Sequence, residues 1–468
     1  MSPPDLLEIT EFDEAGGLTS TYVQSPGPDS ASGRVDVILP ENAKPVWQRA
    51  LDVFLPAGFP HSVTEDYVWY QIYDSLQAFS SAIAGLLASR AVLEGIGVGD
   101  TNASPTAALL LSILQDSTGR LATILFAYRL GTAIEPECKR YRLLADVFND
   151  AAMVLDCLSP AFPRPIRVGV LSGSSVLRAL CGVAANGSKA CLSQHFARQG
   201  NVGELNAKDS SQETVISLLG MLAGSLVVQR VSSPLATWAA LLFLLAIHLG
   251  TNYLAVRSVS MRSLNRQRAN IVLNHLLQHD AVLRPQEVSR MERIFERDGV
   301  FRDEHDRVIG RCSIGSSMKG LLGCLGSQQQ GQSTISGSFT TCGVDLRAVL
   351  DLFGREWYML WPDSSSSRTI IVLKQGASAR DGLKAWYHGL LLAKKTNAAA
   401  AADDKLYTKS NSQVCSTFDG FAERLTAAGW DLTDAALETK SGTRVRCGAA
   451  VQSSHRGQAG SREGGRGA

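Results

Sequence analysis

Apolar positions gather into long runs between about residue 72 and residue 256, whereas either side shows shorter patches separated by Pro, Ser and Gly. Most of the central runs exceed strand length and predict helices. Two alternating stretches, Thr21 to Gln24 and Arg34 to Leu39, predict strands in an acidic N-terminal segment that ends near residue 53. The run Leu235 to Val256 has no formal charge with His248 neutral; at about 1.5 Å per residue it spans roughly 33 Å, enough to cross a membrane. Thr214 to Val228 is shorter, and its Gly220 and Gly224 have the four-residue spacing that lets two helices approach closely. With Pro234 placed to start the second helix, the two runs predict a helical hairpin. A core hairpin in a soluble all-α protein is the alternative.

Four earlier runs carry charge and read as re-entrant, interfacial or bundle-interior segments rather than independent crossings. Leu76 to Ile96 presents Ala78, Ala82, Gly85 and Ser89 as one smooth face and offers Arg90 with Glu94 as a pair four residues apart. Thr106 to Leu130 places Asp116 and Arg120 at the same spacing, which predicts a second internal pair. Tyr141 to Leu158 is amphipathic, with Arg142, Asp146, Asn149 and Asp150 along one face. Asp146 and Asp150 repel each other unless a cation or Arg142 lies between them, and a solvated face is the first reading. Ile166 to Ala185 holds a single interior Arg178.

His248 and Asn252 lie four apart on the best membrane helix, so they share a face that must turn away from lipid. An interhelical hydrogen bond that fixes packing is the first reading, and replacing both by Leu then costs about 1 to 2 kcal/mol. The sharper reading joins them to Asp146, Asp150, Asp74, Asp116 and Arg178 as a polar path through an apolar bundle, as in a carrier.

Beyond Arg257 the pattern is that of a small α+β domain. Helices are predicted over Leu264 to Gln278, Arg284 to Arg297, Ala379 to Lys394 and Phe418 to Trp430. Trp357 to Trp361 and Thr369 to Lys374 predict a hairpin, and Ala435 to Lys440 one more strand. His388, beside Trp386 and Tyr387, reads as a core or surface histidine. Low-complexity stretches cover Gly326 to Ser338 and Asn397 to Asp404, and the Gly/Ser/Arg-rich tail from Gly448 is expected to be disordered. The fold expected is therefore mainly α: a helical membrane-associated bundle over 54–260 and a small C-terminal α+β domain over 261–447. The acidic segment 1–53 precedes them and the tail 448–468 follows.

Composition narrows the function classes. The chain has 468 residues, room for two to four domains. Its 45 Lys and Arg against 44 Asp and Glu leave no basic surplus for nucleic acid. Nine cysteines without a C-x-x-C indicate neither a zinc ribbon nor a disulfide framework, and the acidic start, Met1 to Gly17, is unlike a signal or transit peptide. The polar block Ser193 to Glu213 collects Ser193, His195, Lys208, Asp209 and Glu213. No G-x-S-x-G, G-x-x-x-x-G-K-[ST] or H-E-x-x-H accompanies it, so neither an enzyme nor a bound cofactor is expected. Cys181, Cys191 and His195 match no common metal-site spacing. The block reads as a connector whose Lys208, Asp209 and Glu213 cap a helix starting at Thr214, with a ligand-facing loop as the alternative.

Several blocks resemble the root UVB sensitive family in family order. They are Phe54-Leu-Pro-Ala-Gly-Phe-Pro60, Ser62-Val-Thr-Glu-Asp-Tyr67 with Tyr70-Gln71, Asp74-Ser-Leu-Gln-Ala78, and Arg142-Leu-Leu-Ala-Asp146 with Asn149-Asp150. Gln194-His195, Asn206-Ala-Lys-Asp-Ser-Ser-Gln-Glu213, His248 with Asn252-Tyr253, and Leu264-Asn265 with Gln267-Arg268 continue it. Asn201-Val-Gly-Glu204 departs from the Asn-Met-Ala-Asp of the family pattern, keeping an acid. The resemblance covers about residues 50 to 280. It implies a membrane-associated helical protein; plant members are linked to ultraviolet-B tolerance of roots, seedling development, auxin transport and vitamin B6 homeostasis, and some are plastid-located. It supplies no catalytic residues. The expectation is a non-enzymatic membrane protein, in a plastid or an endomembrane, that binds or moves a small metabolite. A vitamin B6 form such as pyridoxal phosphate, or an auxin-related compound, is the ligand the resemblance suggests. The alternative is a membrane-anchored scaffold that recruits a family paralogue or another protein through its C-terminal domain.

Overall fold

The computed structural model describes residues 7–12, 18–25, 34–38, 53–96, 105–329, 338–341, 345–363, 368–398 and 404–447. Six long helices follow one another from Tyr67: α1 (Tyr67–Ile96), α2 (Pro105–Ile134), α3 (Cys138–Leu158), α4 (Arg164–Phe196), α5 (Val202–Arg230) and α6 (Pro234–Ser258). α1 packs against both α5 and α6, and α4 against α2 and α3, so the two runs expected to form a helical hairpin, now in α5 and α6, pack on α1 rather than on each other. The start of α1, the end of α4 and the end of α6 meet at one end: Thr64 N–H donates to the Phe196 carbonyl, and the Asp66 carboxylate accepts from Ser260 N–H. The start of α6 follows the sequence reading, with Pro234 in the first turn and the Ser233 hydroxyl accepting from Ala236 N–H at 3.2 Å.

The bundle reverses the usual distribution of polarity. α2 exposes Leu109, Leu121, Ile124 and Leu125, α5 exposes Leu218 and Leu222, and α6 exposes Leu235 and Phe243. Charged groups of α1, α3 and α6 turn inward instead. Among the described residues four helices are long and apolar enough to cross a membrane: Tyr67–Gly95, Arg164–Phe196, Val202–Arg230 and Pro234–Ser258. The run 76–96 and the run 166–185, read above as non-crossing, are parts of two of these. The run that begins at Thr214 is the second half of α5, which starts at Val202.

The glycine spacing on α5 has a steric cause. A Cβ on Gly220 would lie 2.7 Å from the Ala82 side chain and 3.0 Å from the Phe79 carbonyl, and one on Gly224 would lie 3.2 Å from Ile83 Cα. Only glycine lets α5 approach α1 this closely. Arg90 pairs with Glu94 at 2.8 Å as expected and also caps α5 through the Val228 and Val231 carbonyls. Asp116 and Arg120 are both exposed and form no pair with each other. Arg178 pairs instead with Asp156 of α3.

The C-terminal domain begins at α7 (Arg266–His279), whose N-cap Asn265 accepts from Arg268 N–H. α8 (Pro285–Met291) is half the length expected for it, because the chain turns extended at Glu292. A mixed sheet follows. β4 (Val300–Arg302) pairs antiparallel with β5 (Val308–Ser313). After α9 (Met318–Leu325), the short hairpin β6 (Gly326–Gln329) and β7 (Ser338–Thr341), and α10 (Leu346–Leu352) come β8 (Tyr358–Asp363) and β9 (Arg368–Lys374). β8 and β9 form the expected hairpin; the other edge of β9 takes β5 and β10 (Arg444–Val445), both parallel. Ala435 to Lys440 forms no strand; the last strand comes four residues later. α11 (Ala379–Ala398) covers the sheet with Trp386, Tyr387 and His388 buried, and α12 (Asp404–Ala427) starts well before Phe418. His388 is a core residue between the Tyr358 and Ser410 hydroxyls, and burial pushes it down to about 3. Three N-terminal strands, β1 (Leu7–Phe12), β2 (Leu18–Ser25) and β3 (Arg34–Ile38), form a separate antiparallel sheet. In chain order these three precede the rest. The tail from Gly448 lies outside the described residues.

Bundle and domain are joined through Glu292. Its carboxylate takes Lys139 of α3 at 2.7 Å and Arg268 of α7 at 2.8 Å, while its carbonyl accepts from Arg257 at the end of α6. Burial pushes this carboxyl up, and the two cations outweigh it and hold it below the usual glutamate range.

The α1–α5 seam is open to test with one pair of substitutions. Gly220→Ala should cost about 1 to 3 kcal/mol because backbone must move. Gly85→Ala, whose Cβ meets nothing within 4 Å, should be neutral or stabilising by up to about 1 kcal/mol. Denaturation of the purified variants in one detergent measures both; equal effects would contradict the packing.

Candidate functional site

Helical spacing brings three polar stripes together inside the bundle. α1 contributes Tyr70, Asp74 and Gln77; α3 contributes Arg142, Asp146 and Asp150; α6 contributes His248 and Asn252. Residues three or four apart stack on one helix face, so each stripe is continuous. Arg142 is the hub. Its guanidinium reaches Asp74 at 2.6 Å, the Gln77 side-chain oxygen at 3.1 Å, the Tyr70 hydroxyl at 3.1 Å and Asp146 at 3.3 Å. Asn252 donates to Asp146, and His248 Nδ1 lies 2.6 Å from Asp150. Asp146 and Asp150 are 4% and 5% exposed and His248 and Asn252 are 0% exposed, so the solvated-face reading of the two aspartates is wrong. The cation needed beside them is Arg142, on Asp146, while Asp150 takes a hydrogen bond from the His248 ring.

The hydrogen bonds assign the proton on that ring. Arg142 has only donors, so the Gln77 oxygen faces it and the Gln77 amide N–H faces His248 Nε2 at 3.2 Å. Nε2 must accept, which leaves the proton on Nδ1, donated to Asp150. With the ring neutral, the lattice holds one guanidinium, on Asp74 and Asp146, against three carboxylates. The lattice therefore carries surplus negative charge in an apolar setting, where charge is costly unless neutralised. Asp150 Oδ2 and Asn252 Oδ1 are buried with no hydrogen-bond partner. The arrangement can accept a proton or a cationic donor: Asp146 Oδ2 stands 3.7 Å from His248 Nε2, ready to take a proton placed there.

The polar block before residue 214 does not form one site. His195 leaves it to meet Asp66 at 3.0 Å. Burial pushes the Asp66 carboxyl up, but His195, Thr64 and the Ser260 backbone hold it at about 2, so this pair pins helix ends together. Ser193 bonds Asn206. Asp209 and Glu213 share Lys189, at 2.6 and 2.9 Å, and Asp209 also accepts from Gln71. Lys208 donates to the Val53 carbonyl. Lys208, Asp209 and Glu213 lie inside α5 rather than capping a helix at Thr214, because α5 already runs from Val202. Cys191 sits beside Cys138, apart from Cys181, which packs with Ala184 and its neighbours against α2 and α3. Asp74 joins the lattice; Asp116 and Arg178 do not. Tyr70, Gln77 and Arg142 were missed as site residues, although the spacing Tyr70, Asp74, Gln77 carried the same signal as His248 and Asn252.

Fold and site together define a helical-bundle protein with membrane-length helices and a buried ionic lattice, fused to an α+β domain. The profile of the vitamin B6 photo-protection and homoeostasis domain matches residues 40–280, which spans all six bundle helices and α7. The chain is 31% identical to protein root UVB sensitive 3 of Arabidopsis thaliana over 90% of its length and 91% of that protein. It is 38% identical to RUS family member 1 of Dictyostelium discoideum over 52% of its length and 47% of that protein. With protein root UVB sensitive 2, chloroplastic, of Arabidopsis it shares 24% over 88% of its length and 89% of that protein. This chain belongs to the root UVB sensitive family. No solved structure matches it.

The lattice predicts a larger cost than a simple packing pair. His248→Leu with Asn252→Leu leaves Asp146 and Asp150 buried without their partners, so the loss should reach about 3 to 5 kcal/mol. Adding Asp146→Asn and Asp150→Asn should restore most of it, because paired charges removed together cost little. Equilibrium denaturation of the double and quadruple variants measures this; a double variant that loses only about 1 to 2 kcal/mol would return the pair to a packing role.

Proposed function

We propose that the protein is a membrane-embedded, non-enzymatic member of its family that binds or moves a small polar metabolite through the bundle. A vitamin B6 form is the ligand of first choice. The single observation that carries this reading is the buried lattice of Arg142, Asp74, Asp146, Asp150 and His248 inside helices whose outer faces are apolar. Ionisable groups enclosed by membrane-length helices are expensive and mark pathways or ligand counter-ions. The surplus of carboxylates suits a ligand with a basic nitrogen, and the pyridine ring of the vitamin B6 forms has one. The family profile, named for vitamin B6 homoeostasis, supports the choice of ligand. The role in ultraviolet-B response rests on the family. The chloroplast named for one relative makes a plastid membrane one location to examine.

Alkaline extraction of membranes comes first, and the protein should stay in the pellet. Thermal unfolding with pyridoxal, pyridoxal phosphate and indole-3-acetic acid then reads binding, since a ligand of the folded state stabilises it by about 2.7 kcal/mol at a hundredfold excess over Kd. Pyridoxal, which lacks the phosphate, should raise the midpoint in the wild type and not in Asp150→Asn. No shift with any of the three, together with intact protein capture through the C-terminal domain, would replace the carrier with the scaffold.

A further inference from the structure

A cavity of about 680 Å³ opens where the α2–α3 corner of the bundle meets α7 and β4 of the C-terminal domain. It lies apart from the lattice of the preceding sections and shares no residue with it. That volume is in the range of small-molecule sites. Its charge is unbalanced. Four cations line it without a side-chain partner among the described residues: Arg129 near the end of α2, Arg140 in the first turn of α3, Arg297 before β4 and Lys440. The Arg140 Nε is fully buried and unsatisfied.

The acids around the cavity do not offset these cations, because other groups already take them. Asp298 holds Arg266, Glu296 holds Arg302, Asp306 holds Arg293, Asp303 holds Arg307, and Glu304 reaches Lys394. Among the described lining residues only Glu137 is left. Burial pushes its carboxyl up to about 7, so near neutral pH it is only partly charged. The inner wall is apolar, with Leu130, Ala133, Ile271 and Val300. Tyr141 stands in that wall 6% exposed, edge-on to Phe126, and its hydroxyl has no hydrogen-bond partner among the described residues.

Converging cations from separate elements repel one another and are relieved by a bound anion. Guanidinium groups match the oxygens of a phosphate with paired hydrogen bonds, and a dianion answers several cations better than a single carboxylate does. We infer that the junction cavity is a binding site for a phosphate monoester with a compact apolar body, its phosphate held by Arg140, Arg129, Arg297 and Lys440 and its body against Tyr141. Such a group is found on free metabolites and on lipid headgroups. The position of the cavity, between the helical bundle and the folded C-terminal domain, is open to both.

The test uses the full chain in detergent with phenyl phosphate as probe, phenol and inorganic phosphate as its two halves, and vesicles of phosphatidylcholine with or without phosphatidate. Phenyl phosphate should stabilise the protein and bind about tenfold more tightly than inorganic phosphate, and phenol should be inert. Arg140→Gln should weaken binding about tenfold or more. Arg297→Gln with Lys440→Gln should do the same; both are exposed and unpaired, so this variant keeps the test valid if Arg140→Gln does not fold. Asp150→Asn, in the bundle lattice, should leave phenyl phosphate binding unchanged, which separates this site from the proposed carrier site. If only phosphatidate vesicles bind, through the same arginines, the phosphate comes from lipid. Absence of binding to both probes, or binding that is unchanged in the arginine variants, overturns the inference.

Discussion

Arg142 has to be held between Asp74 and Asp146, with His248 holding Asp150 beside them, and the arrangement of the bundle follows from that requirement. A guanidinium and three carboxylates withdrawn from water are tolerable only when each finds a partner at hydrogen-bond distance. The partners come from three different helices, so α1, α3 and α6 must pack in one register. A shift by one residue on any of them would turn its stripe by about 100 degrees and strand a charge. The lattice costs stability if any member is lost, and it selects this packing over the many that apolar surfaces alone would allow. Gly220 and Gly224 do the complementary work at the outer seam, where close approach of α5 to α1 is purely steric.

Charge inside and Leu outside is the reverse of a water-soluble bundle, in which the hydrophobic effect gathers apolar stripes at the centre. The C-terminal domain obeys the ordinary rule: β8, β9 and α11 bury Tyr358, Met359, Ile371 and Trp386 in one core. The two halves meet at Glu292, again a buried acid shared between cations of both, Lys139 from α3 and Arg268 from α7. Ionic contacts thus determine register within the bundle and docking between bundle and domain.

Much of this was legible in the chain. The helix start at Pro234, the hairpin of β8 and β9, the close-approach glycines and the shared face of His248 and Asn252 all rest on local chemistry or on helical period. Errors came where period shows which residues share a face but not what that face meets. Asp146 and Asp150 looked solvated because a polar stripe ordinarily faces water; Arg142 was on the same stripe, but only the fold turns that stripe inward and brings His248 and Asn252 onto it. Lys208, Asp209 and Glu213 looked like a connector because they are polar ahead of an apolar run. In the structure a single helix carries both characters, its first turns tied to Lys189, Gln71 and Val53 and its remainder apolar. The junction cavity left no signal at all, since Arg129, Arg140, Arg297 and Lys440 are scattered over more than half of the chain.

The central claim is that lipid, not water, surrounds the outer faces of the bundle while the lattice is closed to both. Spin labels at Leu222 of α5 and Phe243 of α6, with one at His305 of the C-terminal domain as reference, test it most directly in reconstituted bilayers. The account predicts relaxation dominated by oxygen, which concentrates in lipid, at Leu222 and Phe243, and by a water-soluble nickel complex at His305. Nickel-dominated relaxation at Leu222 and Phe243 would place those faces in water and contradict it.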